Sequence, residues 1–438
     1  MHHPSSSRCK AALGSLGLMA LALEYFRSIP RYVGSKVAGR RVPGLVAGGP
    51  LAPLRLVTQA DPEPRSEGWA RLKPTLAGIC GSDLSTVAGE ASFYFSPLVS
   101  MPFVPGHEVV GELLDDCGDH GAGQRVTLSS VLGCAARGQA VLCEHCAAGE
   151  YGRCDRVTLG SLKPGLQTGF CSSTGGGWSR MMLAHRSQLW AVPDAIDDRT
   201  AVLIEPLATA IHSVFRARIP EGADVLVIGS GTVGMLTQVA LRRFARPGRV
   251  IVAAKHAAQR AAAKMAGADE VVRPEHALKA VRRAGHAVKL TPERGQEFLL
   301  GGADVVFECT GSKRALDMAL RTTKAGGRVV VSGIPSAGAD LTPLWFRELE
   351  LVGAYTTGME EVPSSRTDGR GDGRRHSFAL ALELASQIGP MLAPMVGTTY
   401  PLARWRDAID HAMSAGRLGT FKVAFAPQES STALARSI

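Results

Sequence analysis

Residues 224–234 read DVLVIGSGTVG, and this stretch decides the fold. Its first five residues are mostly apolar and form a run of strand length, which predicts a fully buried β-strand. Three glycines follow at G-x-G-x-x-G spacing, at the start of a predicted helix. Such glycines allow a tight turn, a close backbone approach to a pyrophosphate and close packing of the helix on the strand. A purely structural glycine turn is the alternative. The predicted dinucleotide-binding residues here are Gly229, Gly231, Thr232, Val233 and Gly234.

Buried strands and amphipathic helices alternate around this stretch. The predicted helices are Ala201–Val214, Val233–Phe244 and Ala257–Ala266, and the further predicted strands are Arg249–Ala253, Asp304–Phe307 and Arg328–Val331. This alternation is typical of βαβ units, so the region is predicted to form a doubly wound parallel sheet of the α/β class.

Residues 20–200 have a different sequence pattern, because short β-type runs alternate there with Gly- and Pro-rich turns. That pattern predicts an irregular, mostly β domain. Residues 360–376 are polar and contain glycine, which predicts a mobile surface loop. Residues 428–438 are interpreted as a frayed tail.

The charge after the second strand of the parallel sheet indicates which cofactor is preferred. An acidic residue that bonds the ribose 2′-hydroxyl of NAD is expected at the end of this strand. The chain instead continues with Lys255, His256 and Arg260, which offer positive charge where a 2′-phosphate would lie. We therefore expect NADP(H) to be favoured over NAD(H). The alternative is that these are solvated helix-end residues and that either cofactor is accepted.

Composition excludes several classes of protein. The chain has 438 residues, 45% of them hydrophobic and 20% charged, which indicates a sizeable buried core. Its net charge is +10, but the lysines and arginines are scattered and accompany no nucleic-acid-binding motif, so no nucleic-acid partner is expected. The longest mainly apolar stretch, Ala11–Leu23, is shorter than the roughly 20 residues of a membrane span, so no membrane partner is expected.

The N-terminus allows two interpretations. Arg8 and Lys10 precede the apolar stretch Ala11–Leu23, an arrangement that resembles a short secretory signal. The favoured interpretation is that residues 1–18 are a disordered extension and that Met19 opens the first strand.

Four of the nine cysteines crowd into one segment, namely Cys134, Cys143, Cys146 and Cys154. Clustered thiols in a large chain of this kind indicate metal ligands before disulfides, and four thiolates close a tetrahedral structural zinc site. Zinc thiolates favour a reducing compartment, so a cytoplasmic location is expected. The alternatives are that three of the four bind, or that the loop has lost its metal.

A second candidate metal site is dispersed along the chain. Cys80, His107 and Glu205 would supply one thiolate, one imidazole and one carboxylate, with a fourth position left open for substrate. Each residue also has an ordinary alternative: a buried thiol, a turn residue and a helix carboxylate.

Four sequence stretches together resemble the zinc-dependent medium-chain dehydrogenase/reductase family, which includes alcohol, sorbitol and threonine dehydrogenases. They are GICGSDL at 78–84, PGHEVVGEL at 105–113, EPLATAIHS at 205–213 and IGSGTVG at 228–234. The resemblance implies a GroES-like, mostly-β catalytic domain made of residues 19–204 and 356–438. A Rossmann cofactor domain is expected at residues 205–355.

The resemblance also implies roles for individual residues. Cys80, His107 and Glu205 are expected to bind a catalytic zinc ion, with Glu108 as a nearby carboxylate that exchanges onto the metal. Ser82 is expected to pass on the substrate proton. The expected function is reversible hydride transfer between a secondary alcohol or polyol and NAD(P), by a homo-oligomer that is a dimer or a tetramer.

Two departures from the family pattern stand out. Polyol dehydrogenases carry a histidine that extends the proton relay where this chain has Ser85, so the route of the proton to solvent differs. The first structural cysteine is expected near Ala140, whereas Cys134 lies further upstream. Two other hypotheses remain: a non-catalytic NAD(P)-binding sensor or partner-binding protein, and a zinc-free quinone-reductase-like enzyme of the same fold.

Overall fold

The structure is a computed structural model that describes residues 19–38, 45–46, 48–334, 338–362, 373–430 and 436–437. The predicted disordered extension at residues 1–18 lies outside the described residues. The helices are α1 (Ile29–Ala38), α2 (Gly81–Val87), α3 (Glu144–Ala147), α4 (Asp198–Ala201), α5 (Ile204–Ala217), α6 (Thr232–Phe244), α7 (Ala257–Met265), α8 (Ala277–Ala284), α9 (Lys313–Thr322), α10 (Thr342–Phe346), α11 (Ser377–Leu392) and α12 (Trp405–Leu418).

Strands occur along the whole described chain. They are β1 (Met19–Tyr25), β2 (Leu54–Ala60), β3 (Trp69–Gly78), β4 (Val109–Leu113), β5 (Arg125–Leu128), β6 (Met182–His185), β7 (Leu189–Ala191), β8 (Asp224–Ile228), β9 (Arg249–Ala253), β10 (Glu270–Val272), β11 (Val288–Leu290), β12 (Phe298–Leu300), β13 (Ala303–Glu308), β14 (Thr323–Val331), β15 (Glu350–Gly353), β16 (Met359–Glu361), β17 (Arg374–His376), β18 (Val396–Tyr400), β19 (Lys422–Phe425) and β20 (Arg436–Ser437).

The parallel sheet has six strands in the order β10-β9-β8-β13-β14-β15, and every neighbouring pair is parallel. Counted along the chain this is the order 3-2-1-4-5-6 of dinucleotide-binding sheets, and the order reverses at β8. Val225 and Val227 pack into one core cluster, whereas Leu226 and Ile228 pack into another on the opposite face. Burial on both faces explains why β8 is a continuous apolar run. The predicted α/β class and doubly wound sheet are confirmed.

A second sheet contains strands from both ends of the chain. Its order is β20-β18-β19-β3-β4-β5-β7, with β6 also paired to β3. Neighbouring strands in it are antiparallel except for β18 and β19. Because β19 pairs with β3, the chain returns after the parallel sheet and adds its last strands to this mostly antiparallel sheet.

Helices α5 and α11 lie in the core between the two sheets. Residues of both helices share a core cluster with strands of the parallel sheet. The stretch Ser377–Met395, which contains α11, is long and apolar enough to cross a membrane by length and composition, with a mean hydropathy of 1.2. Because Phe378, Leu380 and Leu384 belong to this core cluster, α11 packs as a core helix.

Some local expectations were wrong at the residues that the structure describes. The ends of the expected loop 360–376 form strands, since Met359–Glu361 pairs with Arg374–His376, while 363–372 lie outside the described residues. Within the expected frayed tail, Arg436–Ser437 pairs with β18, while 431–435 and 438 lie outside the described residues. The helix α1 was not anticipated, because its only sequence signals are weak and it lies between two strands of a hairpin-like pair.

Candidate metal and cofactor sites

The pairing of β3 with β4 brings Cys80, His107 and Glu108 together. Gly78, the last residue of β3, donates its N–H to the carbonyl oxygen of Glu108 at 2.8 Å, just before β4 begins. Cys80 follows two residues later as the N-cap of α2. One ligand atom from each of Cys80, His107 and Glu108 lies within 4.8 Å of the others. A thiol, an imidazole and a carboxylate so close together are a donor set that zinc binds.

Unpartnered polar atoms surround this cluster. Nδ1 of His107 and Oγ of Ser82 are both buried, and neither has a hydrogen-bond partner among the described residues. Oδ1 of Asp83 lies 3.4 Å from Nδ1 of His107. Burial is the largest single effect and disfavours a charged imidazole, but the carboxylate of Asp83 and the thiol of Cys80 together outweigh it and raise the pKa of His107 well above its usual value. Buried polar atoms without partners are costly, so the site fits a bound cation and a bound polar ligand.

Glu108 has a partner of its own. Nζ of Lys422 in β19 lies 2.7 Å from Oε1 and 2.6 Å from Oε2 of Glu108, and both side chains are almost fully buried. Both carboxylate oxygens are therefore already bonded to an ammonium group, although Glu108 lies within reach of Cys80 and His107.

Glu205 lies in the first turn of α5 and is only 6% exposed. Burial raises its pKa to about 7, with the charge of His107 acting in the opposite direction and that of Glu108 adding to the rise. Its carboxylate therefore feels the same charged cluster. Glu205 is not among the residues whose ligand atoms all lie within 4.8 Å of one another in the described part of the chain.

The four clustered cysteines form a separate, buried site. Their sulfur atoms all lie within 4.8 Å of one another, and none of the four is in a disulfide. The Sγ atoms of Cys134 and Cys154 are 3.7 Å apart. Four sulfurs placed tetrahedrally about 2.3 Å from one zinc ion lie about 3.8 Å from each other, so the spacing fits the metal.

Cys134 joins this site despite its unusual position in the sequence. The N–H of Cys143 points to the sulfur of Cys134 at 3.4 Å, and the N–H of Cys134 points to the sulfur of Cys146 at 3.4 Å. Donors aimed at sulfur stabilise thiolates, which are the metal-binding form. The longer loop therefore still brings the first cysteine to the other three.

The glycines after β8 have the geometry that a dinucleotide needs. Gly229 has φ of +92°, which favours glycine, and a Cβ on Gly234 would lie 2.0 Å from the carbonyl oxygen of Gly229. A Cβ on Gly231 would meet nothing within 4 Å. Gly231 is the N-cap of α6, so open space lies at the positive end of that helix. Thr232 uses its hydroxyl to bond the carbonyl oxygen of Phe421 at 2.7 Å, and Val233 is half-buried in the same turn.

The cations after β9 lie close together. Lys255 is exposed, and Nη1 of Arg260 donates to its carbonyl oxygen at 2.7 Å. His256 is the N-cap of α7, and burial lowers its pKa together with the charges of Lys255, Arg260 and Arg417. Arg417 comes from α12, so the cluster includes a cation that sequence reasoning missed.

Two other functional neighbours were also missed. Asp83 lies within the stretch 78–84, which was singled out for its cysteine and serine. Lys422 carried no local signal, since it lies 314 residues from Glu108.

Comparisons with known proteins identify the family. The model for the alcohol dehydrogenase GroES-like domain matches residues 66–194, and the model for zinc-binding dehydrogenase matches residues 232–366. Together they cover more than half of the chain.

Individual relatives agree with these domain matches. An L-idonate 5-dehydrogenase of Vitis vinifera is 28% identical over 64% of this chain and 70% of its own length. A sorbitol dehydrogenase of Arabidopsis thaliana is 28% identical over 65% of this chain and 73% of its own length. The crystal structure of 2R,3R-butanediol dehydrogenase from Bacillus subtilis has a TM-score of 0.65 and is 19% identical, covering 93% of this chain and all of that one, and it shows the same fold. The chain belongs to the zinc-dependent medium-chain dehydrogenase/reductase family and is an alcohol oxidoreductase that uses Zn²⁺ and NAD(P).

Proposed function

We propose that this protein oxidises a secondary alcohol or a polyol with NADP⁺ and reduces the corresponding carbonyl in the reverse direction. One observation carries the proposal: ligand atoms of Cys80 and His107 lie within 4.8 Å of each other, and the buried, unpartnered hydroxyl of Ser82 follows Cys80 by two residues. The relatives named for sorbitol, idonate and butanediol support a polyol or secondary alcohol as the substrate class.

Cys80, His107 and Glu205 are the ligands that we propose for the catalytic metal, and Cys134, Cys143, Cys146 and Cys154 those for the structural metal. Zinc at the first centre supplies Lewis acidity toward the substrate oxygen. Between the two carboxylates, the contacts of Glu108 favour Glu205, because Lys422 already bonds both oxygens of Glu108. Glu205 is buried and faces the same charges.

Ser82 is the group that we propose to relay the substrate proton, with its Oγ accepting that proton while its own hydroxyl proton passes on toward solvent. Its Oγ is buried, and it needs no rearrangement of other hydrogen bonds to accept a bond from a substrate hydroxyl. Removing that proton leaves negative charge on the substrate oxygen, and this assists hydride loss from the neighbouring carbon. Ser85 stands where polyol dehydrogenases have a relay histidine, so the step from Ser82 to solvent does not use an imidazole at that position.

NADP(H) is proposed over NAD(H) because of the cations around the end of β9. Lys255, Arg260 and Arg417 carry positive charge close to His256, at the end of β9 where the 2′-phosphate is expected. The glycine turn at 229–234 and the start of α6 would hold the pyrophosphate.

The domain division, assembly and location are part of the same proposal. Residues 19–204 and 356–438 would form the catalytic domain and residues 205–355 the cofactor domain, with the cleft between them holding substrate.

The assembly that we propose is a homo-oligomer, either a dimer or a tetramer. An exposed edge strand and an exposed large apolar side chain support it: β15 is an edge strand in which Leu351 is 40% exposed, and Trp345 in α10 is 81% exposed. Four buried free thiols at one metal site support a reducing compartment, the cytoplasm.

The test is an assay of the purified protein with secondary alcohols and polyols, using NADP⁺ and NAD⁺ in parallel. We expect reduced nicotinamide to form faster at low NADP⁺ than at low NAD⁺, and Cys80→Ser to abolish turnover. Cys117→Ser is the matched control, because that buried thiol bonds the carbonyl oxygen of Gly68 and belongs to neither metal cluster. Lys255→Ala with Arg260→Ala is expected to raise KM for NADP⁺ and to leave KM for NAD⁺ nearly unchanged. Turnover that survives Cys80→Ser would overturn the proposal.

A further inference from the structure

The N-terminal part of the chain contributes a large share of the net positive charge of the protein. Residues 1–60 contain eight lysines and arginines and a single acidic residue, Glu24, whereas the whole chain has a net charge of +10. Glu24 is already paired with Arg55 at 2.5 Å. This segment precedes residue 66, where the first family-matched domain begins. Neither metal site nor the cofactor site uses it.

Helix α1 in this segment exposes a stripe of branched apolar side chains. Ile29 is 64% exposed, Val33 is 51% exposed and Val37 is 72% exposed. Residues spaced by four lie on one side of a helix, so the three side chains form one stripe that faces outward. The opposite side of α1 packs on the protein, where Ser35 is buried and Arg31 bonds the carbonyl oxygen of Ala52.

Exposed aromatic side chains extend this stripe. Tyr32 of α1 contacts the ring of Phe93 edge-on at 5.5 Å between centroids. Phe93 is 70% exposed and its neighbour Tyr94 is 78% exposed. The basic apolar face is defined by Ile29, Val33, Val37, Phe93 and Tyr94. An exposed group of large apolar side chains of this kind marks an interaction site more often than an ordinary surface.

Cations border the same face. Arg27 and Lys36 are exposed, and Nζ of Lys36 lies over the ring of Tyr32 at 5.4 Å. No acidic residue occurs in the sequence between Tyr25 and Ala60. Apolar and aromatic side chains flanked by lysine and arginine suit the boundary between anionic headgroups and acyl chains. A nucleic acid would use the cations but not the branched apolar stripe.

We propose that the basic apolar face binds the surface of an anionic lipid bilayer, with the three branched side chains inserted and the cations at the headgroups. The proposal goes beyond the dehydrogenase function and replaces the expectation of no membrane partner. Helix α2 links this face to the candidate catalytic centre, because Tyr32 lies close to Gly89, two residues after the end of α2, and Cys80 caps the other end of that helix.

The test is co-sedimentation of the full chain with phosphatidylcholine vesicles that either contain or lack phosphatidylglycerol. We expect binding to the anionic vesicles only, with release by high salt. The variant Ile29→Ser/Val33→Ser/Val37→Ser should bind at least about tenfold more weakly, because each substitution removes apolar area from the lipid contact. The matched control Met265→Ser/Val288→Ser changes exposed apolar residues elsewhere, which are 83% and 59% exposed, and should bind like the wild type. Circular dichroism and alcohol dehydrogenase activity are expected to be unchanged in both variants.

Three results would overturn the proposal. The first is equal binding of the triple variant and the wild type, and the second is equal binding to neutral and anionic vesicles. The third is that the wild type does not bind vesicles but forms an oligomer in sedimentation velocity, and that the triple variant does not form this oligomer. That result would assign the face to contact between copies of this chain.

Discussion

The ammonium nitrogen of Lys422 lies 2.6 Å from Oε2 of Glu108, with the lysine side chain 3% and the glutamate side chain 1% exposed. The pair joins strand β19, late in the chain, to the segment that carries His107. Burying two charges is costly, and the cost is offset only while both partners remain and keep good geometry. Lys422 therefore ties the last part of the chain to the candidate catalytic centre.

Lys422→Met should destabilise the protein by about 3–5 kcal/mol, because it leaves the carboxylate of Glu108 buried without its partner. The free energy of unfolding measured in urea tests this. Adding Glu108→Gln to that variant should restore part of the loss. As a control, Arg246→Ala removes an exposed pair with Glu221, whose side chains are 66% and 77% exposed, and should cost less than about 1 kcal/mol. An equal effect of the two single variants would contradict the account.

Gly231→Ala and Gly234→Ala should separate cofactor binding from folding. A Cβ at Gly231 meets nothing within 4 Å, so the variant should fold normally and bind NADP⁺ about tenfold more weakly, since the methyl group occupies the space of the pyrophosphate. A Cβ at Gly234 lies 2.0 Å from a backbone oxygen, so that variant should lose about 1–3 kcal/mol of stability. Isothermal titration and urea unfolding measure the two effects. Unchanged NADP⁺ affinity in Gly231→Ala would rule out this binding mode.

Ser82→Ala should lower kcat by about 10²–10⁴-fold while leaving NADP⁺ affinity and zinc content unchanged, because it removes only the proton acceptor. Ser82→Thr keeps a hydroxyl and should recover a large part of the rate. Steady-state kinetics with the best substrate provide the measurement. A kcat within about twofold of the wild type in Ser82→Ala would exclude the proton-transfer role.

His185 should make the protein less stable as the pH falls. Burial lowers its pKa to about 4, with a smaller effect from Arg186, whereas an unfolded histidine titrates near about 6.5. Below pH 6.5 the unfolded chain binds a proton that the folded chain does not, so stability present above that pH is lost progressively down to about pH 4. The loss from this group should be about 2 kcal/mol at pH 5. Urea unfolding of the wild type and of His185→Gln at neutral and acidic pH measures it, and equal pH dependence in the two proteins would contradict the assignment.

The fold was largely predictable because its deciding signals are local. The strands Asp224–Ile228 and Arg249–Ala253 have the predicted bounds, and helix α6 begins one residue before the predicted start. Strands buried on both faces are continuous apolar runs, and the glycine turn has a fixed spacing. Helix α1 was not foreseen, because its sequence signals are weak and it lies between the paired strands β1 and β2.

The candidate sites were predictable to different extents. The four cysteines lie within one short segment, so their spacing alone indicated a metal site. Cys80, His107 and Glu205 are far apart in sequence, so their residue types suggested a metal site only beside ordinary alternatives, and the resemblance to a family is what favoured the site. Lys422 and Arg417 approach the sites through β19 and α12, contacts that depend on tertiary structure and leave no pattern in the sequence.

The most direct test of the central claim is the zinc content per chain, measured by mass spectrometry on four proteins purified in parallel. The account predicts about two zinc ions for the wild type and for Cys117→Ser, and about one each for Cys80→Ser and Cys134→Ser, since each of the last two loses a ligand of a different site. Activity should fail in Cys80→Ser, and stability should fall in Cys134→Ser. Wild-type zinc content in Cys80→Ser, with the fold intact, would contradict the catalytic metal site and with it the proposed mechanism.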